Sequence, residues 1–246
     1  GNLTNAMALR RQLVRRGCLF QSTTDTEVII HLIAISLYAT VEDRLIDALR
    51  QIEGAYSLVA ATPNSVIGVR DPLGIRPLCL GKLDSGWVVA SESCALDHIG
   101  AQFIRELEAG EAVLIDAQGL RTVYQAQGSR RALCVFETIY FARPDSVLDQ
   151  KLVYQARQEM GRQLAREHAV EADVVIGIPD SATAAAVGYA QESGIPYREG
   201  LVKNRYVGRT FIEPDQRVRD LGVRLKYNPL PEILSGQRVV VVDDSI

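Results

Sequence analysis

The strongest constraint on the fold is the run Val239–Val242, four consecutive valines that precede Asp243 and Asp244. An unbroken series of β-branched residues is typical of a strand that is covered on both faces, as in a parallel sheet. The two carboxylates then follow the carboxyl end of the strand, where open α/β sheets bind ligands. Ribose hydroxyls and Mg²⁺ both need oxygen acceptors. We therefore predict a phosphosugar and magnesium site here; a solvated acidic turn that caps a helix is the alternative.

The first 130 residues combine helical spacing with a later series of short strands. Three helices are predicted, one from Leu3 that stops at Gly17, one opened by a Thr24–Glu27 capping box and running to about Tyr38, and one through Val41 to Ile52. Six strand-like runs follow, at 56–61, 66–70, 78–80, 87–90, 112–115 and 120–124. This order favours a layered α+β domain.

The polar stretch 125–131 separates this domain from a segment in which helices and strands alternate. One helical face carries Val153, Ala156, Met160 and Leu164, and a buried strand is predicted over 174–178. Asp180 or Ser181 is expected to cap a small-residue helix over 182–192, and a further strand lies near Leu201. With Val239–Val242, this pattern predicts a βαβ-type parallel sheet.

A basic segment precedes the final strand. Between Lys203 and Lys226 the chain has seven Lys and Arg residues and three acidic ones. Arg and Lys suit a pyrophosphate, and Gly208 with weak periodicity favours a mobile loop that closes over a reactive sugar. A merely solvated basic loop is the alternative on charge alone. A nucleic-acid surface is disfavoured because no series of aromatic residues accompanies the charges.

Composition narrows the class of protein. The 246 residues carry a net charge of −3, which argues against nucleic-acid or membrane-surface partners. Four scattered cysteines without a CxxC pair indicate a reducing, cytoplasmic compartment rather than a disulfide framework. No apolar run approaches the length of a membrane span. The size allows a sizeable core and two domains.

Three segments together resemble the glutamine phosphoribosylpyrophosphate (PRPP) amidotransferases: Ile139–Ser146, Lys203–Phe211 and Val239–Ile246. The resemblance extends over essentially the whole chain, including Gly1–Asn5 and Asp71–Leu78. It implies an internal fragment, with a partial N-terminal-nucleophile (Ntn) hydrolase αββα glutaminase domain at 1–130 and a truncated type I phosphoribosyltransferase parallel-sheet domain at 131–246.

The resemblance also implies the reaction of the longer parent protein. This is formation of 5-phosphoribosylamine, glutamate and pyrophosphate from glutamine, water and PRPP, the first step of de novo purine (IMP) biosynthesis. The parent is expected to be a homo-oligomer. The family's nucleophile is an N-terminal Cys that this chain lacks; Cys18, Cys79 and Cys94 do not match its context and are expected to be buried apolar side chains. We therefore expect no catalytic residue here and an inactive chain.

Ligand-binding roles follow by the same resemblance. Asp25 matches the acid that holds the α-amino group of glutamine, although an ordinary acid at a helix N-terminus is the alternative. Gly1 matches the glycine beside the oxyanion-hole asparagine. The residues that match PRPP-binding positions lie in three places, the loop facing pyrophosphate, the flexible loop and the PRPP loop: Asp180, Ser181, Lys203, Tyr206, Arg209, Asp243, Asp244 and Ser245.

Two cofactors are implied. Asp243 and Asp244 match the positions that serve Mg²⁺, and Ala182 departs from the metal-reaching Ser of many bacterial relatives. Cys134 stands where cluster-bearing members have their first [4Fe–4S] ligand, and a cluster needs four thiolates, so the cluster is expected only in the full-length parent. In the chain itself Cys134 is expected to be a buried thiol.

Two other classes of protein stay open. A phosphoribosyltransferase-like module that senses PRPP without turnover should lack a glutaminase half, whereas Gly1–Asn5 and Asp25 indicate one. A different amidotransferase, such as a glucosamine-phosphate synthase or asparagine synthetase, should lack the Lys203–Phe211 loop and the strand before Asp243.

Overall fold

The structure, a computed structural model, describes residues 1–207 and 215–245, without the side chains of 218 and 219. Its contacts divide the chain into two compact units, an N-terminal unit Gly1–Glu137 and a C-terminal unit Thr138–Ile246. The domain division expected from the sequence falls between residues 130 and 131, seven residues before this structural division.

The N-terminal unit contains four α-helices among its described residues, α1 Ala6–Arg15, α2 Thr26–Ile35, α3 Val41–Leu49 and α4 Ser93–His98. Helix α1 ends where predicted, because Gly17 adopts a φ of +89° that few other residues tolerate. Helix α3 begins with a side-chain cap, since the Thr40 hydroxyl accepts a hydrogen bond from the backbone N–H of Asp43.

Nine strands complete the N-terminal unit: β1 Asn2–Leu3, β2 Gly54–Ala55, β3 Ser57–Ala61, β4 Val66–Arg70, β5 Cys79–Leu83, β6 Gly86–Ala90, β7 Gln102–Glu106, β8 Glu111–Asp116 and β9 Gly119–Gln125. They form an antiparallel four-stranded sheet β3-β4-β8-β9, an antiparallel three-stranded sheet β6-β5-β7 and the short pair β1-β2.

These elements stack as four layers. Helices α1–α3 pack on one face of the four-stranded sheet, where Leu13, Val28 and Leu45 share a core with Ile67 and Leu114. The opposite face meets the three-stranded sheet in a cluster of buried residues, Leu78, Leu80, Leu107 and Val113. Helix α4 covers the far side through Leu96, which packs against Cys79. This is the αββα layering expected of an Ntn hydrolase glutaminase domain.

The C-terminal unit contains a short hairpin, a parallel strand pair and a second antiparallel pair. Its elements are β10 Val147–Leu148, β11 Lys151–Leu152, α5 Val153–Glu167, β12 Val174–Gly177, α6 Thr183–Ser193, β13 Leu201–Lys203, α7 Gln216–Lys226, β14 Tyr227–Pro229, α8 Pro231–Leu234 and β15 Val239–Val242. A π-helical turn, Glu137–Phe141, precedes them. Strands β12 and β15 run parallel from Val174 opposite Val239 to Gly177 opposite Val242, which confirms the predicted parallel sheet.

The burial of β15 differs from the prediction. Val242 is buried among Ala165, Val175 and Tyr189, but Val241 is 54% exposed. Consecutive side chains point to opposite faces of a strand. In the described part of the chain only one of those faces is covered by α5 and α6, so the prediction of burial on both faces is wrong here.

The predicted face of α5 is correct for Val153 and wrong beyond it. The helix buries Val153, Arg157, Gly161 and Ala165, whereas Met160 is 39% exposed. The buried face is selected by close approach to α6 rather than by hydrophobicity: a Cβ added to Gly161 would lie 1.8 Å from the carbonyl oxygen of Ala185. None of the described helices is both long enough and apolar enough to cross a membrane.

Candidate functional site

Two loops meet at the carboxyl edge of the parallel strands. Because Gly177 pairs with Val242, the residues that follow β12 and β15 emerge side by side. The Ser181 hydroxyl donates a hydrogen bond of 3.0 Å to Oδ1 of Asp244, across 63 positions of sequence. The structure thus brings together the predicted residues Ser181 and Asp244, with Asp243 next to them.

The electrostatics of this edge suit a cation. Among the described residues, Oδ2 of Asp244 is buried without a hydrogen-bond partner, and the Asp244 N–H donates a 2.8 Å hydrogen bond to Oδ1 of Asp243. Partial burial, together with the neighbouring Asp244 carboxyl, raises the pKa of Asp243. Two crowded carboxylates, one with an orphaned oxygen, fit a hard divalent ion such as Mg²⁺. Groups of three or more potential metal ligands are absent from the residues described.

Helix α6 does not begin as predicted. Its N-cap is Ala182, without a side-chain capping bond, and Ser181 binds Asp244 instead. The prediction that Asp180 or Ser181 caps the helix is wrong because a long-range carboxylate competes for the hydroxyl. A hollow of about 210 Å³, lined in part by Ser181, Ala182, Asp243 and Asp244, opens at this point.

A second hollow, of about 440 Å³, adjoins the same loop. Asp180 and Lys203, the last residue of β13, both line it, and they form an ion pair of 2.8 Å. Arg205 contributes a further cation to its wall. With Arg157 and Glu199, which also line it, the hollow holds three cationic and two acidic side chains next to the edge that carries Asp244.

The remaining predicted PRPP residues are less constrained. Tyr206 is fully exposed, and its N–H donates to Oδ1 of Asn204 over 3.0 Å; Ser245 is also exposed. Arg209 lies outside the described residues. The prediction of a loop throughout the basic segment is wrong for Gln216–Lys226, which is the helix α7.

The predicted glutamine residues lie around the pair β1–β2. Strand β1 begins next to Gly1, where an added Cβ would lie 2.5 Å from the carbonyl oxygen of Ala55. The Leu3 N–H donates a 2.8 Å hydrogen bond to Oδ2 of Asp25. Gly1 and Asp25 thus line one hollow of about 200 Å³ together with Tyr56. The structure brings these two predicted residues to one place.

Asp25 is the N-cap of α2, and its side chain makes no capping bond. The predicted Thr24–Glu27 capping box is wrong, because the Glu27 carboxylate reaches past Thr24 and accepts the backbone N–H groups of Gln21 and Ser22. Helix α2 ends at Ile35 rather than near Tyr38.

The cysteines only partly follow expectation. Cys79 and Cys94 are buried, whereas Cys18 and Cys134 are partly exposed; burial raises the pKa of Cys79 to about 12. Cys134 is therefore not the buried thiol that was expected. It supplies a single thiolate, and the described residues group no further ligands around it, so its role in a cluster stays a prediction.

Sequence reasoning missed Arg157. It is 4% exposed, and its guanidinium donates to the carbonyl oxygens of Thr138 and Ala142, each over 2.8 Å. It thereby fixes the π-helical turn on α5 beside the Asp244 hollow, which it also lines. The sequence feature that could have identified Arg157 is its position one helical turn after Val153, which places the two residues on the same face of α5.

Comparison with known proteins finds similarity along the whole chain. A family model described as a glutamine amidotransferase domain matches residues 1–98. An amidophosphoribosyltransferase of Rhizobium etli is 52% identical over 251 residues, covering 100% of this chain and 51% of the relative. One from Archaeoglobus fulgidus is 52% identical and covers 100% of this chain and 54% of the relative.

The solved structure of the Bacillus subtilis glutamine PRPP amidotransferase, in complex with ADP and GMP, superposes with a TM-score of 0.92 at 47% identity. It covers 100% of this chain, which in turn covers 54% of that structure. The chain spans about half the length of the curated relatives it matches. The similarity is continuous across the glutaminase layers and the parallel strand pair, and along its whole length the chain is similar to amidophosphoribosyltransferases.

Proposed function

We propose that the protein containing this chain uses glutamine and PRPP to form 5-phosphoribosylamine, glutamate and pyrophosphate, the first step of purine biosynthesis. The observation that carries the proposal is the edge of the parallel strands, where Asp243, Asp244 and Ser181 converge beside Lys203. Paired acids next to cations suit a sugar diphosphate, which presents hydroxyls and a strongly charged leaving group together. We also propose that the protein is cytoplasmic and assembles as a homo-oligomer.

In the glutaminase half, Asp25 would hold the α-ammonium group of glutamine. Its carboxylate lines the same hollow as Gly1 and accepts the N–H of Leu3 at 2.8 Å and the Thr26 hydroxyl at 3.5 Å. A charge-assisted hydrogen bond to an ammonium group would fix the amino acid by its head and leave the amide end free for attack. Gly1 keeps the β1 backbone close to β2, because a side chain there would meet Ala55.

In the phosphoribosyltransferase half, Asp243 and Asp244 would accept ribose hydroxyls while Lys203 and Arg205 neutralise pyrophosphate. The lone pair of ammonia forms a bond to the anomeric carbon as the bond to the pyrophosphate oxygen breaks. That oxygen takes the electron pair, and a proton leaves the nitrogen to solvent. Because the chemistry needs no covalent intermediate, the protein's contribution is positioning and charge compensation.

Lys203 would exchange partners during this step. It pairs with Asp180, an exposed carboxylate, at 2.8 Å, and a pyrophosphate offers several anionic oxygens in place of one carboxylate. Tyr206 and Arg209 would follow with the same segment. The basic character of 203–226 then acts as a counter-charge that covers the leaving group and excludes water.

Asp243 and Asp244 would hold Mg²⁺, since their crowded carboxylates and the orphaned Oδ2 fit a divalent ion. When bound, the ion neutralises charge on the departing pyrophosphate. Ser181, already bonded to Asp244, is placed to orient that carboxylate where relatives have a Ser in place of Ala182. We further propose that Cys134 ligates a [4Fe–4S] cluster in the full-length protein, which requires three more thiolates.

The test is Asp243→Asn in the full-length protein. We expect PRPP binding with Mg²⁺, followed by calorimetry, to weaken by at least about tenfold because a carboxylate ligand is lost, while glutamine hydrolysis continues at its wild-type rate. Asp84→Asn, in the exposed turn between β5 and β6, removes the same charge elsewhere and should change neither quantity. Wild-type protein that releases no heat with Mg²⁺ and PRPP would refute the assignment.

A further inference from the structure

The loop before α2 is held by a single carboxylate, that of Glu27. Its Oε1 accepts the N–H of Gln21 at 2.7 Å, and its Oε2 accepts the N–H and the hydroxyl of Ser22 at 2.9 and 2.7 Å. Three donors thus converge on one side chain that points backward from the first turn of the helix. The Ser22 hydroxyl also contacts the Thr24 hydroxyl at 2.8 Å, so the clamp reaches the residue before Asp25.

A stack of side chains closes the loop from its other side. The Arg10 guanidinium donates to the carbonyl oxygen of Ser22 at 2.6 Å and lies 4.1 Å from the centre of the Phe20 ring. His31 also belongs to this cluster: its ring centroid lies 4.3 Å from that of Phe20, and its Nε2 lies 3.8 Å from Oε1 of Glu27. Helices α1 and α2 therefore both grip the loop.

This loop delivers Asp25 to its position between two hollows. One is the glutamine hollow with Gly1 and Tyr56, and the other, of about 480 Å³, is lined by Arg10, Thr23 and Thr24. Apart from the Leu3 N–H at 2.8 Å, the Asp25 carboxylate accepts, from the part of the chain that the structure describes, only the Thr26 hydroxyl at a marginal 3.5 Å. Its direction must therefore be fixed largely by the loop that precedes it.

We propose that Glu27 is a positioning residue for the glutamine α-ammonium site, because it fastens the loop that aims the carboxylate of Asp25. The proposal rests on the proposed function of the glutaminase half and adds to it a residue that does not touch the substrate. The clamp is persistent, because hydrogen bonds from Gln21 and Ser22 lower the pKa of Glu27 to about 2 and keep it ionised throughout the neutral range.

The variant Glu27→Gln tests this inference with little change of shape. The amide retains one carbonyl oxygen but turns the second acceptor into an NH₂ group, which cannot accept the N–H of Ser22. Glutaminase kinetics of the full-length protein are measured with glutamine and with 4-carbamoylbutanoate, which is glutamine without its α-amino group. We expect kcat/KM for glutamine to fall about tenfold, mainly through KM, and kcat/KM for the analogue to stay within about twofold.

Four further measurements make the outcome unambiguous. Ammonia-dependent phosphoribosylamine formation should be unchanged, and Asp84→Asn should affect neither amide substrate. Ser22→Ala removes one donor to Glu27 and should shift the glutamine KM in the same direction by a smaller factor. In an Asp25→Asn background, Glu27→Gln should add little, because both changes act on the same interaction.

Equal losses with glutamine and with the analogue would overturn the positioning role and show general damage to the fold. An unchanged glutamine KM in Glu27→Gln would also overturn it while leaving the proposed function intact. Wild-type protein that does not hydrolyse glutamine at all would refute the proposed function, and this inference with it.

Discussion

Helices α5 and α6 cross at two glycines, and the variant Gly188→Ala should loosen this crossing by an amount that the structure allows us to estimate. A Cβ added at residue 188 would lie 1.9 Å from the carbonyl oxygen of Gln158, and one added at Gly161 would lie 1.8 Å from that of Ala185. Real Cβ contacts below 3.0 Å essentially do not occur. A backbone carbonyl in a helix cannot move aside by changing rotamer as a side chain can, so the two helices must separate by roughly 1 Å.

The energy follows from two opposing effects. Overpacking a well-packed interface costs about 1–3 kcal/mol, and a clash with backbone belongs at the upper end of that range. Replacing a helical Gly by Ala returns about 1 kcal/mol of helix propensity. The net destabilisation is therefore about 2 kcal/mol, which corresponds to roughly a thirtyfold change in a local opening equilibrium.

Hydrogen exchange of the backbone amides, followed by mass spectrometry on the full-length protein, measures this locally. Amides of α5 and α6 should lose about thirtyfold in protection, whereas Gly86→Ala, where an added Cβ meets nothing within 4 Å, should lose none. The double variant with Gly161→Ala should cost less than the sum of the single variants, because the first methyl already parts the helices. Protection within about threefold of wild type in Gly188→Ala would refute the packing estimate.

Two further predictions concern other parts of the chain. Burial acts to raise the pKa of Glu111, but hydrogen bonds from Arg105, Thr122 and the Glu108 N–H outweigh this effect and lower the pKa below 4.5. The ionised carboxylate therefore adds to the free energy of unfolding above pH 4.5, and this contribution is lost as the pH falls below that value. The difference in unfolding free energy between wild type and Glu111→Gln should therefore shrink on acidification through 4.5, and a constant difference would contradict this. In the full-length protein, Cys134→Ala should lower the iron content and visible absorbance while Cys18→Ala leaves both unchanged; full iron retention in Cys134→Ala would exclude it as a ligand.

Local pattern was sufficient for much of the N-terminal unit. The run Val66–Arg70 was predicted with its observed bounds, and five other strands were found within a few residues, because alternation and Gly or Pro boundaries are properties of adjacent residues. Strand β7, Gln102–Glu106, was missed. Its two apolar residues, Phe103 and Ile104, are adjacent and give no alternating pattern, and the strand forms because β5 offers it a partner.

The site was predicted as a set of residues but not as a set of contacts. Glu27 and Ser181 were both interpreted as helix caps, since capping needs only neighbours within four positions. Each has a different partner in the structure, Glu27 in the loop before the helix and Ser181 in Asp244, which lies 63 positions away. A capping rule considers only neighbouring residues, so it cannot detect a distant, partly buried carboxylate such as Asp244 that competes for the hydroxyl of Ser181.

The face of α5 shows why hydrophobicity alone misplaces a helix at a close crossing. Where two backbones nearly touch, the inward positions must lack side chains, so Gly161 and Ala165 turn inward and the larger Met160 is displaced outward. The sequence does indicate this close crossing, because small residues recur at helical spacing on both α5 and α6. They include Gly161 on α5 and Gly188 on α6. That close approach also seats the first turn of α6 against the end of β15, where Ser181 meets Asp244. The geometry of the acidic edge therefore depends on glycine at positions 161 and 188, because a methyl group at either one would clash with the backbone of the facing helix.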